Sequence, residues 1–465
     1  MVQLLRSDRT DLQVLLGEPK AAVRSMFLPF LIAFAVVEAN QFIDTFWISG
    51  LGRTSAEAIS VIVPFFVLLM CSGVGISVGA TTTIAFRLGR DQREEASLLA
   101  SNAMILGLIL SVVASVLMLL LLDPALDLLG AGVIRRECWS YFLPMILMSA
   151  PMILLSIVGG TLRGEGAARR STIIQISAAL FNMILDPIMI YVLGFGIAGA
   201  GIATGLAAAI SLAIGLSWYA RGRTVITLDR RGFRPDPSKM GEVLNVGGPK
   251  TVNEMIAGIM MVIQRIFFIV AGGTAAVMLY NYPWRFISLF MLPGKAFESS
   301  MVPVGSAAYG QGDADKMWRA YIYSVKLTVL VSLAAVMIII LFAQPLMSVM
   351  TYEPSMQEML PKLAWILQVS VILLPFMAVR GVSASLLQSM KKARIPMYFD
   401  LIWGSVRMVA YALCAYGLLG VDPFDGIIYT MTAIYSLGGV ILTAVAVSQF
   451  RKFRRGMPDR GASSL

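Results

Sequence analysis

Residues 177–193 read SAALFNMILDPIMIYVL, an apolar run that carries one carboxylate, Asp186, with no cationic neighbour in sequence. A charged aspartate at the centre of a bilayer-spanning helix costs at least ~2.5 kcal/mol even on insertion scales, so such residues face a protein interior and serve ions or substrate. Asn182 stands four residues earlier and shares a helix face with Asp186. The first apolar segment repeats the arrangement in EANQFIDTFW (38–47), where Asn40, Gln41 and Asp44 fall on one helical stripe. Two acids flanked by amides, each inside an apolar helix, point to an ion site in an all-α polytopic membrane protein.

Composition supports that class. Hydrophobic residues make up 58% of the 465 and charged residues 14%, against about 25% charged in an ordinary soluble domain. Apolar stretches long enough to span a bilayer lie near 22–47, 57–86, 97–122, 139–161, 172–193, 197–220, 244–271, 275–307, 319–343, 358–388, 397–419 and 425–450, twelve in all. The amphipathic N-terminus, with Arg6, Asp8, Arg9 and Asp11, lacks a short apolar core followed by a small-residue cleavage site, so no removable signal peptide is expected.

The net charge of +10 is a matter of placement and not a nucleic-acid footprint. Of 37 Lys and Arg, 27 fall in the N-terminus, the even-to-odd loops and the C-terminal tail, and 4 (Arg53, Arg135, Arg136, Lys362) in the opposite loops. By the positive-inside rule both termini are cytoplasmic, in an inner membrane. Cys71, Cys138 and Cys414 are scattered, with neither disulfide nor metal-ligand spacing. The absence of histidine removes the usual neutral-pH base and a frequent metal ligand, which argues against an enzyme.

The chain is duplicated. Its longest polar connection, RGRTVITLDRRGFRPDPSKM (221–240), divides the spans six and six. AFRLGRDQREEA (85–96) pairs with AAYGQGDADKMW (307–318), LDPALDLLG (122–130) with AQPLMSVMT (343–351), and LRGEGAARRST (162–172) with LQSMKKARIPM (387–397), at offsets of 221 to 225. Six spans per repeat give both halves the same orientation, so the pseudo-twofold axis runs along the membrane normal. The organisation expected is a cytoplasmic segment 1–21, an N-lobe 22–220, a linker 221–243, a C-lobe 244–450 and a tail 451–465. The acids are not duplicated: Asp44 meets Gln264, and Asp186 meets the apolar 408–411 region.

GFGIAG (194–199) satisfies GxGxxG, yet it joins two apolar helices where a dinucleotide fingerprint must follow a strand. Close helix packing through small residues accounts for it better. Pro29, in FLPFLI, removes one backbone hydrogen bond from the helix that carries Asp44 and marks a kink or hinge. In the second half Glu254, Met260, Gln264 and Arg380 are the candidates for a substrate cavity, among further charges at Arg265, Arg285, Lys295, Glu298, Asp400 and Arg407. Dispersed methionines such as Met260 suit an adaptable surface.

With IDTFW ending the first span, LRGEG (162–166) after the fourth, NMILDP (182–187) in the fifth and GIAGAGIAT (196–204) beyond it, the chain resembles a multidrug and toxic compound extrusion (MATE) transporter. It is most similar to the branch whose acids concentrate in the N-terminal lobe. The resemblance carries ion coupling onto Asp44, Asn182, Asp186 and Thr204, more weakly onto Tyr141, and a kink role onto Pro29. The chain departs from the branch at Gly159, where an amide is expected, and at Val37 and Asn40, where Gln and Tyr are common. Glu38 is an added acid, so Glu38, Asn40, Gln41 and Tyr141 form a possible additional site.

The expected function is a secondary antiporter that exports amphipathic, often cationic organic compounds in exchange for H+ or Na+, by alternating access of two lobes. It needs no cofactor, and as partners it takes small organic substrates and the lipid bilayer, acting as a monomer without nucleic acid. The alternative is a lipid-linked saccharide flippase of related two-lobe fold, whose pyrophosphate would be met by Arg265, Arg285, Arg380 and Arg407. A channel is disfavoured because no filter motif repeats.

Overall fold

The computed structural model describes residues 8–51, 53–128, 132–228, 234–348 and 357–455. The first seven residues and the tail beyond 455, both assigned above to the cytoplasm, lie outside them. Among the described residues the chain is helical, with no strand. Among the described residues nine helices are long and apolar enough to cross a bilayer, and a pair bent by 52° at Met148, Gly132–Leu147 with Ser149–Gly164, makes a tenth. The expected span 275–307 is helical apart from a break at Met291, and that at 397–419 is helical as far as Ala415. Lys295 and Glu298 in the first, and Asp400 and Arg407 in the second, lower their hydropathy.

Contacts group the chain into two compact units, 1–258 and 259–465. The first opens with α1 (Asp8–Leu16), whose buried Leu12 and Leu15 make it amphipathic. It is followed by α2 (Pro19–Ser49), α3 (Arg53–Gly89), α4 (Arg93–Leu128), α5 (Arg135–Leu147), α6 (Ser149–Gly164), α7 (Ala168–Pro187), α8 (Ile197–Ala220) and the start of α9 (Pro237–Phe290). Helix α2 begins sharply because the Glu18 carboxylate accepts from the amides of Lys20 at 2.8 Å and Ala21 at 3.1 Å, with Pro19 in the first turn.

Small residues set the packing of α3 on α6. Gly73, Ser77 and Thr81 on α3 meet Ser156, Gly160 and Gly164 on α6, each set at four-residue spacing. Ser77 Oγ donates to the Ser156 carbonyl at 2.6 Å and Thr81 Oγ1 to that of Gly160 at 2.8 Å. A Cβ on Gly160 would stand 2.4 Å from the Ser77 carbonyl oxygen. Within lipid, where apolar burial gives helices no preference for one another, such approach and cross-helix hydrogen bonding supply the association.

The polar connection after α8 is tied down. Glu165, 1% exposed, accepts from the amides of Val225 and Ile226 at 3.1 Å each. Ser97 and Asn102 on α4 accept from the amides of Thr227 and Asp236. Arg87 pairs with Glu242 at 2.7 Å, and Lys239 with Glu95. These contacts fix where α9 starts, and its first turns pack on α3 through Gly75, Gly79 and Gly247.

The second unit holds the rest of α9, α10 (Leu292–Gln311), α11 (Ala314–Ser348), α12 (Leu360–Val371), α13 (Leu374–Ser389), α14 (Arg394–Ala415) and α15 (Pro423–Arg455). Helix α9 breaks at Gly272 and Gly273, the latter at φ 68°, ψ −163°, a conformation essentially restricted to glycine. This is where the sequence places the turn between the seventh and eighth spans. The core of the unit is a continuous apolar cluster that includes Phe268, Ile287, Ile339, Leu367, Tyr411 and Ile428.

Candidate functional site

Helices α2 and α7 bring the two acidic stripes together. Asn40 and Asp44 lie one turn apart on α2, as do Asn182 and Asp186 on α7. Both hydrogens of Asn40 Nδ2 are used, one on Asp44 Oδ2 at 2.9 Å and the other on Asn182 Oδ1 at 3.0 Å. Asn182 Nδ2 in turn donates to Asp186 Oδ1 at 3.0 Å. A relay of two amides therefore links two carboxylates across the helix pair, close enough to interact electrostatically. Asn182 and Asp186 are buried, at 5% and 2% exposure.

The backbone beyond Asp186 is not ordinary helix. Pro187 has no amide hydrogen to give the carbonyl four residues earlier, and the chain widens into a π-helical turn at Ile188–Val192. It then turns through Gly194 (φ 69°) and Gly196 (φ 57°) into α8. The GFGIAG motif is thus a helix-to-helix connection. Its continuation packs closely: a Cβ on Gly199 would stand 2.6 Å from the Met189 backbone, and one on Gly201 2.3 Å from the Tyr141 carbonyl oxygen.

An apolar cluster adjoins the carboxylates along the same helices. Ile48, Ile190 and Ala200 are buried together, with Trp47, Leu51, Ile59 and Tyr141 packed on them. The Tyr191 hydroxyl donates to the Trp47 carbonyl at 2.5 Å, and the two rings meet edge to face at 6.1 Å. Sequence reasoning missed this contact, because its partners lie 144 residues apart and no local spacing joins them.

Two oxygens define what the arrangement accepts. Asn40 Oδ1 and Asp44 Oδ1 are buried with no hydrogen-bond partner, beside Asp186, whose Oδ1 accepts from Asn182. Unsatisfied buried acceptors are costly, and they fit a proton or a hard cation that prefers oxygen ligands. Among the described residues no group of three or more His, Cys, Asp or Glu gathers as for a metal ion.

The other expected site residues stand apart or at the margin. Tyr141 lies within electrostatic range of both Asp44 and Asp186. Thr204 Oγ1 donates to the Ala200 carbonyl of its own helix at 3.0 Å, and no hydrogen bond joins it to the acids. Gln41 is exposed, and Glu38, half-buried, makes neither a hydrogen bond nor an ion pair. Pro29 sits inside α2, which runs through it as one helix.

At Gly159, where the resemblance expects an amide, Arg163 takes up the polar neighbourhood. Its guanidinium donates to Ser77 Oγ at 2.7 Å and Ser171 Oγ at 3.1 Å, and a Cβ on Gly159 would touch both Arg163 and Ser171 at about 3.4 to 3.5 Å. Of the substrate-cavity candidates, Glu254 pairs with Lys250 one turn away at 2.8 Å. Arg380 pairs with Asp400. Gln264 is buried at 7% exposure. Met260 packs on Gly404. Lys295 and Glu298, three apart in sequence, do not pair; Glu298 instead lies against Gly381.

A duplicated, all-helical membrane protein with an amide-bridged pair of carboxylates in one repeat has the makings of a membrane transporter, not an enzyme. The chain belongs to the MatE family, which it matches twice, over residues 29–188 and 251–412. The two matches start at an offset in keeping with the duplication read from the sequence. A FAD transporter of Shewanella oneidensis is 27% identical over 72% of this chain and 75% of its own length. Multidrug export protein MepA of Staphylococcus aureus is 22% identical over 90% of this chain and 89% of its own. A crystal structure of MATE in the straight conformation superposes with a TM-score of 0.90 at 25% identity, covering 96% of this chain and 99% of that one.

Proposed function

We propose that the protein is a secondary antiporter that exports amphipathic organic compounds, cations among them, in exchange for inward-moving H+ or Na+. The observation that carries this reading is the relay from Asp44 through Asn40 and Asn182 to Asp186. Two carboxylates held together away from water repel each other. A single added positive charge, a proton or a sodium ion, relieves that repulsion and satisfies the free oxygens of Asn40 and Asp44. Because the four residues come from two helices, the occupancy of the site sets how α2 and α7 pack, and this links the ion to alternating access of the two lobes.

Export activity is supported by the names of the relatives, several of which are multidrug export proteins. We place the protein in the inner membrane, and both termini in the cytoplasm on the distribution of Lys and Arg among its loops. It acts without a cofactor and as a monomer. Purified protein reconstituted into liposomes tests the reading. Addition of a transported dye should drive proton or sodium movement in the opposite direction, and dye accumulation should collapse when that gradient is dissipated. Dye movement indifferent to both gradients would refute antiport.

A further inference from the structure

Among the described residues, one cation of the second unit, Arg407, has no carboxylate partner. Arg407 lies eight residues from the end of α14, inside the helix, where a charged side chain is expected to have a carboxylate partner. It has none. The neighbouring Arg380 is paired with Asp400, whereas the guanidinium of Arg407 makes no ion pair or hydrogen bond, and its Nε is buried without a partner. It is held instead over the ring of Tyr435, 4.4 Å from the centroid.

A second orphan lies one turn further along the same face. Tyr411 is 0% exposed, and its hydroxyl, a donor in need of an acceptor, makes no hydrogen bond. Arg407, Tyr280 and Tyr435 all lie within electrostatic range of it. The ring of Tyr280 is stacked between Phe268 at 4.6 Å and Trp284 at 5.3 Å, so its plane is fixed. The local polar inventory is thus an uncompensated guanidinium and an unused hydroxyl, set beside aromatic rings. Both orphaned groups offer hydrogens, and neither has an acceptor.

We propose that Arg407, Tyr411 and Tyr435 form a subsite for the anionic group, a carboxylate, sulfonate or phosphate, of an aromatic organic solute. The guanidinium and the hydroxyl donate to the anion while the aromatic side chains meet the rest of the molecule. The proposal deepens the transporter reading, on which it rests: the substrate range extends to organic anions, and the cationic end of the range is not served here. It also separates the two units by charge, acids in the first for the coupling ion and a cation in the second for the solute.

The test uses the full chain in phosphatidylcholine nanodiscs, with no ion gradient, and follows fluorescein as the anionic probe and ethidium as the cationic one by fluorescence anisotropy. Arg407→Gln should weaken fluorescein binding about tenfold or more, the loss of one charge-assisted hydrogen bond. It should leave ethidium bound at least as tightly, since a repelling charge has gone. Arg407→Lys should fall between, because an ammonium keeps the charge but loses the fork and the stacking. Where Arg407→Gln does not accumulate in the membrane, Tyr411→Phe should weaken fluorescein roughly threefold to tenfold on its own.

Equal fluorescein affinity in parent and variants, or no fluorescein binding by the parent, would overturn the proposal. So would displacement of the probe by phosphatidylglycerol added to the discs, which would assign the subsite to a lipid headgroup. Because binding is read without a gradient, its outcome stands apart from that of the antiport experiment.

Discussion

Asn40 and Asn182 meet across α2 and α7 at 3.0 Å, amide nitrogen to amide oxygen. Each also donates to the acid one turn further along its own helix. The amides therefore do more than fill space. They give the carboxylates a fixed set of donors, so that a change of charge on one acid is felt on the other helix.

Removing either charge at constant size should uncouple the protein. Asp186→Asn and Asp44→Asn are expected to reach the membrane at parental levels and to lose gradient-driven export. The check is dye accumulation in proteoliposomes with an imposed proton or sodium gradient, normalised to protein. Parental accumulation by either variant would remove that residue from the coupling site.

Truncating the bridge should weaken the site without deleting a charge. Asn40→Ala removes the donor to Asp44 and to Asn182 together, and hydrogen bonds to charged groups are worth roughly 1.5–3 kcal/mol. If the relay forms in one transport state only, ion affinity should fall about tenfold or more. Isothermal titration with the coupling ion, or the gradient needed for half-maximal export, gives the answer, and unchanged affinity would make Asn40 a packing residue.

Tyr191 supplies a test of the cluster beside the acids. Tyr191→Phe keeps the ring that packs on Trp47 and deletes the hydroxyl that donates to its carbonyl, a loss of about 1 kcal/mol to whichever state holds the contact. Spin labels on the ends of α2 and α7 should show a shift of several-fold toward the separated population. Identical distance distributions would mean that the hydrogen bond persists through the cycle.

Much of this architecture was legible in the chain, for reasons that can be named. Most of the helices follow from hydropathy and the duplication from segments that recur some 220 residues apart, while the turn at Gly272 and Gly273 follows from glycine's freedom at positive φ. The pairing of Asp44 with Asp186 follows less directly: helical spacing puts each acid beside its own amide, but that α2 lies against α7 is a tertiary fact. Arg163 illustrates what spacing cannot give, since its partners Ser77 and Ser171 come from other helices. Thr204 shows the reverse. The motif suggested a site residue, and its hydroxyl proton is given to the Ala200 carbonyl on its own helix.

Gly201 connects packing with the site. Its α-carbon faces the Tyr141 carbonyl so closely that an added Cβ would stand 2.3 Å from the oxygen. Gly201→Ala should force α5 and α8 apart at a cost of roughly 1–3 kcal/mol. A thermal-unfolding midpoint lowered by a few degrees, measured in detergent by tryptophan fluorescence, is the expected result. A parental midpoint would show that the helices separate there without penalty.

Pro29 separates a hinge from a passive kink. Pro29→Ala restores an amide that can bond the Ser25 carbonyl four residues earlier in α2, and a net intrahelical hydrogen bond contributes roughly 0.5–1.5 kcal/mol. That is enough to shift an equilibrium between bent and straight forms of the helix about two- to tenfold, since ~1.4 kcal/mol corresponds to a factor of ten. Transport should slow through the altered population, while ion affinity changes only modestly because Asn40 and Asp44 lie three to four turns away. Spin labels near Phe34 and on α7 should report a narrower distance distribution than in the parent. Parental distances together with intact transport would reduce Pro29 to a structural proline, and the coupling step would then have to be sought in the π-helical turn after Asp186 instead of in α2.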